Sequence, residues 1–245
     1  MKTQPTLTFF IKSCLLGLLC CSGSFAQNDS IPVGNGTAAK TVQKEKYGLR
    51  VGADASKLLR SVVDDAYTGF EIQGDFRFTK KWYVAGEFGY EEKQTTNDYL
   101  NTTASGTYIK LGADYNAYEN WYGMSNLIYG GFRVGASNFS QELNSFSVYS
   151  ENQYWAPQFT SSNSTTYSGL NAVWAEFIAG LKVEVLNNLY LGLNIQFKYI
   201  ITQKEAENLE NIYIPGYNKT YDSGSFGFGY GYTISYLIPI FKKAN

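Results

Sequence analysis

Histidine is missing from this sequence of 245 residues. Its side chain is the one whose ordinary pKa suits proton transfer near neutral pH, and most activated nucleophiles depend on it. Enzyme classes that place a histidine beside the reacting group are therefore excluded, and we expect neither catalytic residues nor a cofactor. Lysine and arginine (20) do not outnumber aspartate and glutamate (21), so the charge gives no support for a nucleic-acid-binding surface.

Long apolar runs are missing too, and cysteine is confined to one place. The apolar stretch at residues 14–21 is far shorter than the roughly 20 residues of a membrane-spanning helix. It follows Lys2 and Lys12 and precedes Ser24-Phe25-Ala26, which is the order of features in a cleaved secretory signal peptide. We expect residues 1–26 to be removed together with all three cysteines, which leaves an exported chain without disulfides.

Beyond a polar stretch at residues 27–46, predicted to be a flexible periplasmic leader, apolar and polar residues alternate. In the first run Leu49 and Val51 oppose Arg50 and Gly52, and seven further runs begin near residues 70, 82, 109, 128, 173, 189 and 226. A period of two residues is typical of half-buried antiparallel strands, and an even number of strands allows closure. The predicted fold class is all-β: an up-and-down transmembrane barrel of about eight strands at residues 47–241, with a tail at residues 242–245.

Short and long connections alternate along the chain. Lys80-Lys81, residues 117–124 and Asn187-Asn188 are short, while longer connections lie near residues 59–66, 91–104, 140–169 and 203–223. In outer-membrane barrels the short turns face the periplasm and the long loops face the cell exterior. The last strand is predicted to end near Ile238, because Pro239 has no N–H to donate to a neighbouring strand.

A soluble ligand-binding barrel shows the same period, with its apolar face turned inward. Here the apolar face holds more large residues than the interior of an eight-stranded barrel can contain, while the other face carries glycines among charges. These patterns favour a barrel whose apolar face meets lipid, integral to a bacterial outer membrane. Five aromatic residues fall near predicted strand ends, where membrane interfaces favour them: Trp82, Tyr90, Tyr115, Tyr199 and Tyr236.

Three stretches of the sequence carry a resemblance to a known family: Gly69-Phe70-Glu71-Ile72, Tyr118-Glu119-Asn120-Trp121 and residues 233–239. On these stretches residues 47–241 resemble an uncharacterised family of small outer-membrane β-barrel proteins of Bacteroidota, a domain of unknown function. Residues 231–236 also resemble the C-terminal signal of outer-membrane barrel proteins. The resemblance implies a fold and a location, and it transfers no catalytic residues.

Charged residues on the polar face of the strands are predicted to point into the lumen. Two roles are open for them, an ion or proton path or a plug of paired charges. We favour the plug, because isolated charges in such a place would be very costly. The predicted lumen network consists of Arg50, Asp54, Glu71, Asp75, Arg77, Glu87, Lys110, Asp114, Arg133, Glu176, Lys182, Glu184 and Lys198.

The longer connections hold the remaining candidates. Their acids at Asp64-Asp65, Glu91-Glu92 and Glu205 to Glu210 could bind calcium, but none has a recognised ligand spacing, and solvated loop acids are the simpler interpretation. Their aromatic residues could anchor a partner, since they bury a large area with few torsions, or could pack together as a cap. These candidate loop contacts are Phe146, Tyr149, Tyr154, Trp155, Tyr213 and Tyr217.

The sequence thus predicts a non-enzymatic outer-membrane barrel with a structural or protein-interaction role through its exterior loops. The alternatives are an accessory subunit of an outer-membrane assembly or secretion complex, and a narrow channel. The expected partners are outer-membrane lipid and other outer-membrane or periplasmic proteins. No metal, cofactor or nucleic acid is expected.

Overall fold

The computed structural model of the chain describes residues 44–118, 126–148, 159–220 and 224–244. The predicted signal peptide, residues 27–43 of the predicted leader and part of the turn at residues 117–124 lie outside these ranges. Eight long strands make up most of the described residues: β1 (Lys44–Asp54), β2 (Tyr67–Arg77), β3 (Trp82–Thr96), β4 (Leu100–Asn116), β5 (Leu127–Val148), β7 (Thr165–Leu186), β8 (Leu189–Gln203) and β11 (Phe226–Ala244). The shorter elements are α1 (Ala55–Val63), β6 (Phe159–Ser161), β9 (Tyr213–Ile214) and β10 (Asn218–Lys219).

The long strands form a closed ring. Each pairs with its neighbour in antiparallel fashion in the order β1, β2, β3, β4, β5, β7, β8, β11, and β11 pairs back with β1. The predicted eight-stranded up-and-down barrel is therefore confirmed. Of the helices among the described residues, none is long and apolar enough to cross a membrane.

The two faces of the wall differ as the alternation predicts. On β5, Phe132 is 55% exposed while the next residue, Arg133, is 3% exposed. The same alternation runs around the ring, because every second residue of a strand points to the same face. The outside of the wall is thus an apolar belt, which includes Leu49, Val51, Phe70, Ile72, Val84, Phe88, Ile109, Leu111, Phe132, Val134, Phe177, Leu191, Leu193, Ile195, Phe197 and Ile234.

The barrel has two unlike ends. The turn end carries the tight β2–β3 and β7–β8 turns, the start of β1 and the end of β11. At this end Asn188 adopts a left-handed backbone with φ of 68°, which asparagine tolerates better than most residues. The loop end carries α1 and the β3–β4, β5–β7 and β8–β11 connections.

Two of the predicted exterior loops are largely strand. β3 continues to Thr96 and β4 resumes at Leu100, so residues 91–104 are mostly a hairpin. β5 runs to Val148 and β7 starts at Thr165, which leaves little of the 140–169 loop without strand structure in its described part. The sequence hides these extensions because the strands are polar on both faces near the loop end and lose the alternation.

The first connection at the loop end is a helix where an exterior loop at residues 59–66 was predicted. Asp54 caps it, since its carboxylate accepts a hydrogen bond from the backbone N–H of Ser56 at 2.7 Å. The polar face of α1 turns to the barrel, while an apolar face looks outward. That outward face consists of Leu58, Leu59, Val62 and Val63, which are all exposed.

The predicted end of the last strand at Ile238 is wrong. β11 continues to Ala244, which pairs with Lys44 of β1. The register shifts where Gly48 pairs with Pro239 and Tyr47 pairs with Phe241, so Ile240 is the extra residue of a bulge. A bulge interrupts the ladder locally, and this lets a proline sit in a strand that goes on pairing beyond it.

A closed barrel of this kind should resist detergent. We expect the unboiled protein to migrate differently from the boiled protein on a gel, and we expect circular dichroism to show strand, because each long strand is paired on both sides over most of its length and few edges remain from which unfolding can start. A helix-dominated spectrum, or identical migration of the two samples, would contradict the barrel.

Candidate functional site

The lumen near the turn end is filled by one arginine and its partners. The Arg50 guanidinium donates to Asp75 through Nη2 at 2.7 Å and Nε at 2.9 Å, and Lys182 reaches the other oxygen of Asp75 at 2.7 Å. The guanidinium also lies over the ring of Tyr190 at 4.7 Å and that of Tyr83 at 5.4 Å. The buried guanidinium is thus held by two N–H donors on one carboxylate and by stacking on two aromatic rings.

The middle of the lumen is a charge cluster centred on Lys110. Its ammonium lies 2.7 Å from Glu87, 3.3 Å from Glu71 and 3.8 Å from Glu176. Arg133 links this cluster to the wall, because it contacts Asp114 at 2.8 Å and Glu87 at 3.4 Å. All these side chains are buried, so each charge depends on its partners rather than on water.

Near the loop end a hairpin of the chain itself enters the lumen. Residues 211–220, which contain β9 and β10, form this plug hairpin. Its Gly216 N–H donates to Glu91 at 2.9 Å, and its Gly216 carbonyl accepts from Lys198 at 2.8 Å. The Tyr213 hydroxyl also donates to Glu91, at 2.8 Å. The hairpin is thereby tied to opposite charges of the lumen.

Apolar packing holds the plug hairpin as well. Ile214 and Tyr217 belong to a buried cluster with Tyr108 and Trp174, and the rings of Trp174 and Tyr217 meet edge to face at 6.0 Å. Gln141 fixes its base, donating to the Glu210 carbonyl at 3.0 Å and accepting from the Ile212 N–H at 3.3 Å.

Lys57 of α1 contacts the charge cluster from the loop end of the barrel. Its ammonium pairs with Glu91 and lies 3.5 Å from Glu71. Burial lowers the pKa of Lys57, but the two carboxylates outweigh burial and hold that pKa above its usual range. Burial, followed by the charge of Glu91, raises the pKa of Tyr213 well above its usual value, so its hydroxyl remains a donor.

The structure brings ten of the thirteen predicted lumen charges into these contacts, namely Arg50, Asp75, Lys182, Glu71, Glu87, Lys110, Asp114, Arg133, Glu176 and Lys198. The other three lie at the ends. Asp54 caps α1, Arg77 donates to the carbonyl of Lys80 at 3.0 Å, and Glu184 pairs with Lys46 at 3.5 Å. The ion path and the paired plug were the two roles left open, and the contacts are those of a plug.

Sequence reasoning missed several lumen residues, among them Glu91, Lys57, Tyr108 and Trp174. Glu91 falls in the predicted exterior loop at residues 91–104, and Lys57 falls between the first predicted strand and the loop at residues 59–66. Tyr108 and Trp174 lie inside strands but are not charged. The Tyr108 hydroxyl donates to Glu71 at 2.6 Å, and the indole of Trp174 donates to Glu176 at 3.3 Å. Extending the period of two by a few residues in β3, β4 and β7 would have placed Glu91, Tyr108 and Trp174 in the lumen.

The candidate loop contacts differ in where they lie and in how exposed they are. Phe146 lies in β5, with its ring centroid 6.1 Å from that of Phe159 in β6. Tyr213 and Tyr217 are 5% and 1% exposed, so for them the structure supports the capping alternative over direct contact with an external partner. Tyr149, Tyr154 and Trp155 lie outside the described residues.

The acids considered for calcium are scattered. Asp64 accepts from Lys93 at 2.8 Å, Glu91 is buried in the lumen, and Glu205 accepts from Gln203 at 2.6 Å. In the part of the chain that the structure describes, no group of three or more acidic, histidine or cysteine side chains is placed to hold a metal ion.

A closed antiparallel barrel with an apolar exterior and a charged, filled interior defines the class of transmembrane β-barrel proteins. Within that class the chain belongs to the family described as Domain of unknown function (DUF6048), whose profile matches residues 6–243. The predicted family membership is thereby confirmed.

One solved structure with a related fold is Ail, the attachment invasion locus protein of Yersinia pestis. The likeness covers 80% of this chain and 99% of that chain, at 9% sequence identity and a TM-score of 0.39. A likeness this distant transfers neither ligand nor role. No curated protein sequence is significantly similar to the chain.

Proposed function

We propose that the protein is a non-enzymatic, non-conducting barrel of the bacterial outer membrane, and that strands projecting beyond its loop end bind another protein. The apolar belt supports the membrane placement, and the short turns support a periplasmic position for the turn end. The paired charges and the plug hairpin speak against the channel alternative, since they leave the lumen occupied along its length.

The projecting strands carry the interaction proposal. β5 and β7 each have 22 residues, about twice the roughly 9–11 that cross a bilayer. Together with the loop-end parts of β3 and β4 and with β6 they form the exterior sheet, residues 91–107, 138–148 and 159–171. A sheet held by continuous ladders presents its side chains in a fixed geometry, which lowers the entropy cost of binding a partner.

Side-chain contacts stiffen the exterior sheet further. The Asn144 amide donates to Asn101 at 3.1 Å and to Thr103 at 2.9 Å, and Gln94 donates to Asn101 at 3.1 Å. Near the far end of this polar sheet, Phe159 and Val148 are 62% and 51% exposed. Exposed apolar side chains on a rigid polar platform are typical of a protein-binding surface.

Copurification tests this role. Replacing residues 144–164 with a short Gly/Ser linker removes the end of the exterior sheet but keeps the β5–β7 pair from Leu143 and Thr165 downward. The variant should fold, because surface connections contribute little to barrel closure, and it should lose the proteins that copurify with wild type in mild detergent. The double variant Phe146→Ser with Phe159→Ser should show the same loss.

Tyr118→Ser is the matched control, because it removes an exposed aromatic ring at the turn end. It should keep every partner. If all three variants shift on the gel like wild type and retain the same partners as wild type, the exterior sheet is not the interaction surface.

A further inference from the structure

The barrel wall is incomplete near its loop end. β1 ends at Asp54, where its partner on β11 is Thr233, and its last partner on β2 is Ile72. Farther toward the loop end, β2 runs on to Tyr67 with β3, and β11 reaches back to Phe226 with β8. Among the described residues neither of these two segments has a strand partner on its other side. The wall therefore has a gap between β2 and β11.

α1 closes the β2 side of this gap. Its Ser61 hydroxyl accepts a hydrogen bond from the Gly69 N–H at 2.8 Å and lies 3.1 Å from the Gly69 carbonyl. The side chain thus satisfies groups of β2 that a neighbouring strand would otherwise satisfy. From the same helix Lys57 reaches into the lumen, so α1 is fixed to the edge of β2.

On the β11 side a lateral cleft remains between α1 and the strand edge, with a volume of about 270 Å³. Phe228 and Tyr230 line it from the outer face of β11, while Gln196 and Asp54 line it from the lumen. A cavity bounded by side chains from both faces of a wall has to pass around a strand edge. The lateral cleft therefore connects the outside of the barrel with the top of the lumen.

The outside at this place is apolar. Leu59, Val62 and Val63 of α1 are 63%, 82% and 83% exposed, and they continue the apolar belt around Phe70 and Tyr230. A helix with a polar inner face and an apolar outer face is typical of the membrane interface. At the loop end this interface is the outer leaflet, so the lateral cleft opens to lipid.

Among the charged side chains of the lateral cleft, the one exposed at its mouth favours binding of an anion. Asp54 is buried and accepts from the N–H and hydroxyl of Ser56, and Lys57 is paired with Glu91. Arg60 is different: its side chain is 40% exposed, lies over the Tyr67 ring at 4.0 Å, and is 3.5 Å from Asp64. Its planar guanidinium can hold a phosphate through two parallel hydrogen bonds.

We propose that the lateral cleft binds an amphiphile of the outer leaflet through the phosphate of a net-anionic headgroup on Arg60, with an acyl chain along Phe228 and Tyr230. The volume is slightly below the roughly 300 Å³ at which small-molecule pockets begin, so the cleft holds one part of a larger lipid while the rest stays in the leaflet. This inference rests on the membrane placement proposed above, but not on the exterior sheet.

Native mass spectrometry in nanodiscs tests it. With equal amounts of phosphatidylglycerol and phosphatidylcholine, wild type should retain one phosphatidylglycerol after the bulk lipid is stripped. Arg60→Gln should lower that retention about tenfold, as expected for losing one charge-assisted pair. Lys204→Gln, which removes the same charge from the β8–β9 connection, should leave it unchanged. Brominated acyl chains should quench more fluorescence in Leu59→Trp than in wild type, whose own tryptophans include the exposed Trp82.

Three results would overturn the proposal. These are equal retention of the two lipids by wild type, equal loss in both charge variants, or displacement of phosphatidylglycerol by free glycerol phosphate at the same concentration. The gel shift of the same samples separates these results from a failure of membrane insertion, since an uninserted chain shows no shift and an inserted one does.

Discussion

Replacing Lys110 with methionine should destabilise the barrel by about 3–5 kcal/mol, the cost of removing one partner from a buried ion pair. The Lys110 ammonium is the shared counter-charge of Glu71, Glu87 and Glu176, and its side chain is 1% exposed. Methionine keeps most of the length of the side chain but removes the cation that the three carboxylates share. The remaining contacts are longer: Lys57 lies 3.5 Å from Glu71, Arg133 lies 3.4 Å from Glu87, and Lys198 lies 3.8 Å from Glu176. The measurement is urea unfolding in lipid vesicles, read as the loss of the gel shift.

Two further variants make this expectation specific. Lys204→Met removes a lysine from an exposed connection and should change stability by less than about 0.5 kcal/mol. Adding Glu87→Gln to Lys110→Met should recover part of the loss, because one of the three carboxylates then needs no cation. An unchanged unfolding midpoint for Lys110→Met would mean that water replaces the lysine, and the plug would then be a hydrated lumen.

Replacing Gly216 with valine should release the plug hairpin. Gly216 has a φ of 81°, in the left-handed region that favours glycine, and a Cβ there would lie 2.5 Å from the Tyr108 ring. Valine would therefore strain the backbone and overlap the Tyr108 ring, and both hydrogen bonds of Gly216 would be lost. Hydrogen exchange measured by mass spectrometry should change from slow to fast for residues 211–219, while β1 and β11 stay protected.

Substitutions at two other glycines distinguish backbone strain from the effect of added bulk. Gly169 has a φ of 71° but nothing within 4 Å of its Cβ position, and Gly224 has neither a positive φ nor a close neighbour. Gly169→Val tests strain alone and Gly224→Val tests added bulk alone, so neither should speed exchange in the plug hairpin. Slow exchange in the Gly216→Val variant would contradict the proposed fixing of the hairpin.

Planar-bilayer recordings give a second measurement on the same variant. Wild type should not conduct. Gly216→Val should not form a large, stable open state either, because the Arg50 and Lys110 contacts close the lumen below the hairpin. A wide channel in this variant would show that the hairpin alone is the barrier and would favour the channel alternative.

The wall of the barrel was predictable because lipid on one side and charge on the other impose a period of two. That period identified the eight strands and ten of the charges that meet in the lumen. Where lipid no longer imposes it, prediction failed: the loop-end parts of β4 and β5 were predicted as loop because both faces are polar there, as consecutive Thr102 and Thr103 on opposite faces of β4 show. The plug hairpin could not be predicted from the sequence either, because Tyr213 and Tyr217 contact strands that are far away in sequence.

The helix α1 shows a different limit. Its apolar residues at Leu58, Leu59, Val62 and Val63 follow a capping Asp54 at helical spacing, so the signal was present. It was overlooked because nine residues between two strands have the length of an ordinary barrel connection. A search for helical periodicity inside the connections would have found it.

The seam between β1 and β11 determines when the barrel can form. Eleven register pairs join the first long strand to the last, from Lys44 with Ala244 to Asp54 with Thr233. These partners are nearly two hundred positions apart along the chain, so loop-closure entropy makes this the most costly contact to form. Local hairpins such as β3–β4 can form as soon as they emerge, but the ring stays open until β11 arrives. Until then β1 keeps an unpaired edge, the kind of surface that makes an incompletely folded chain prone to aggregation.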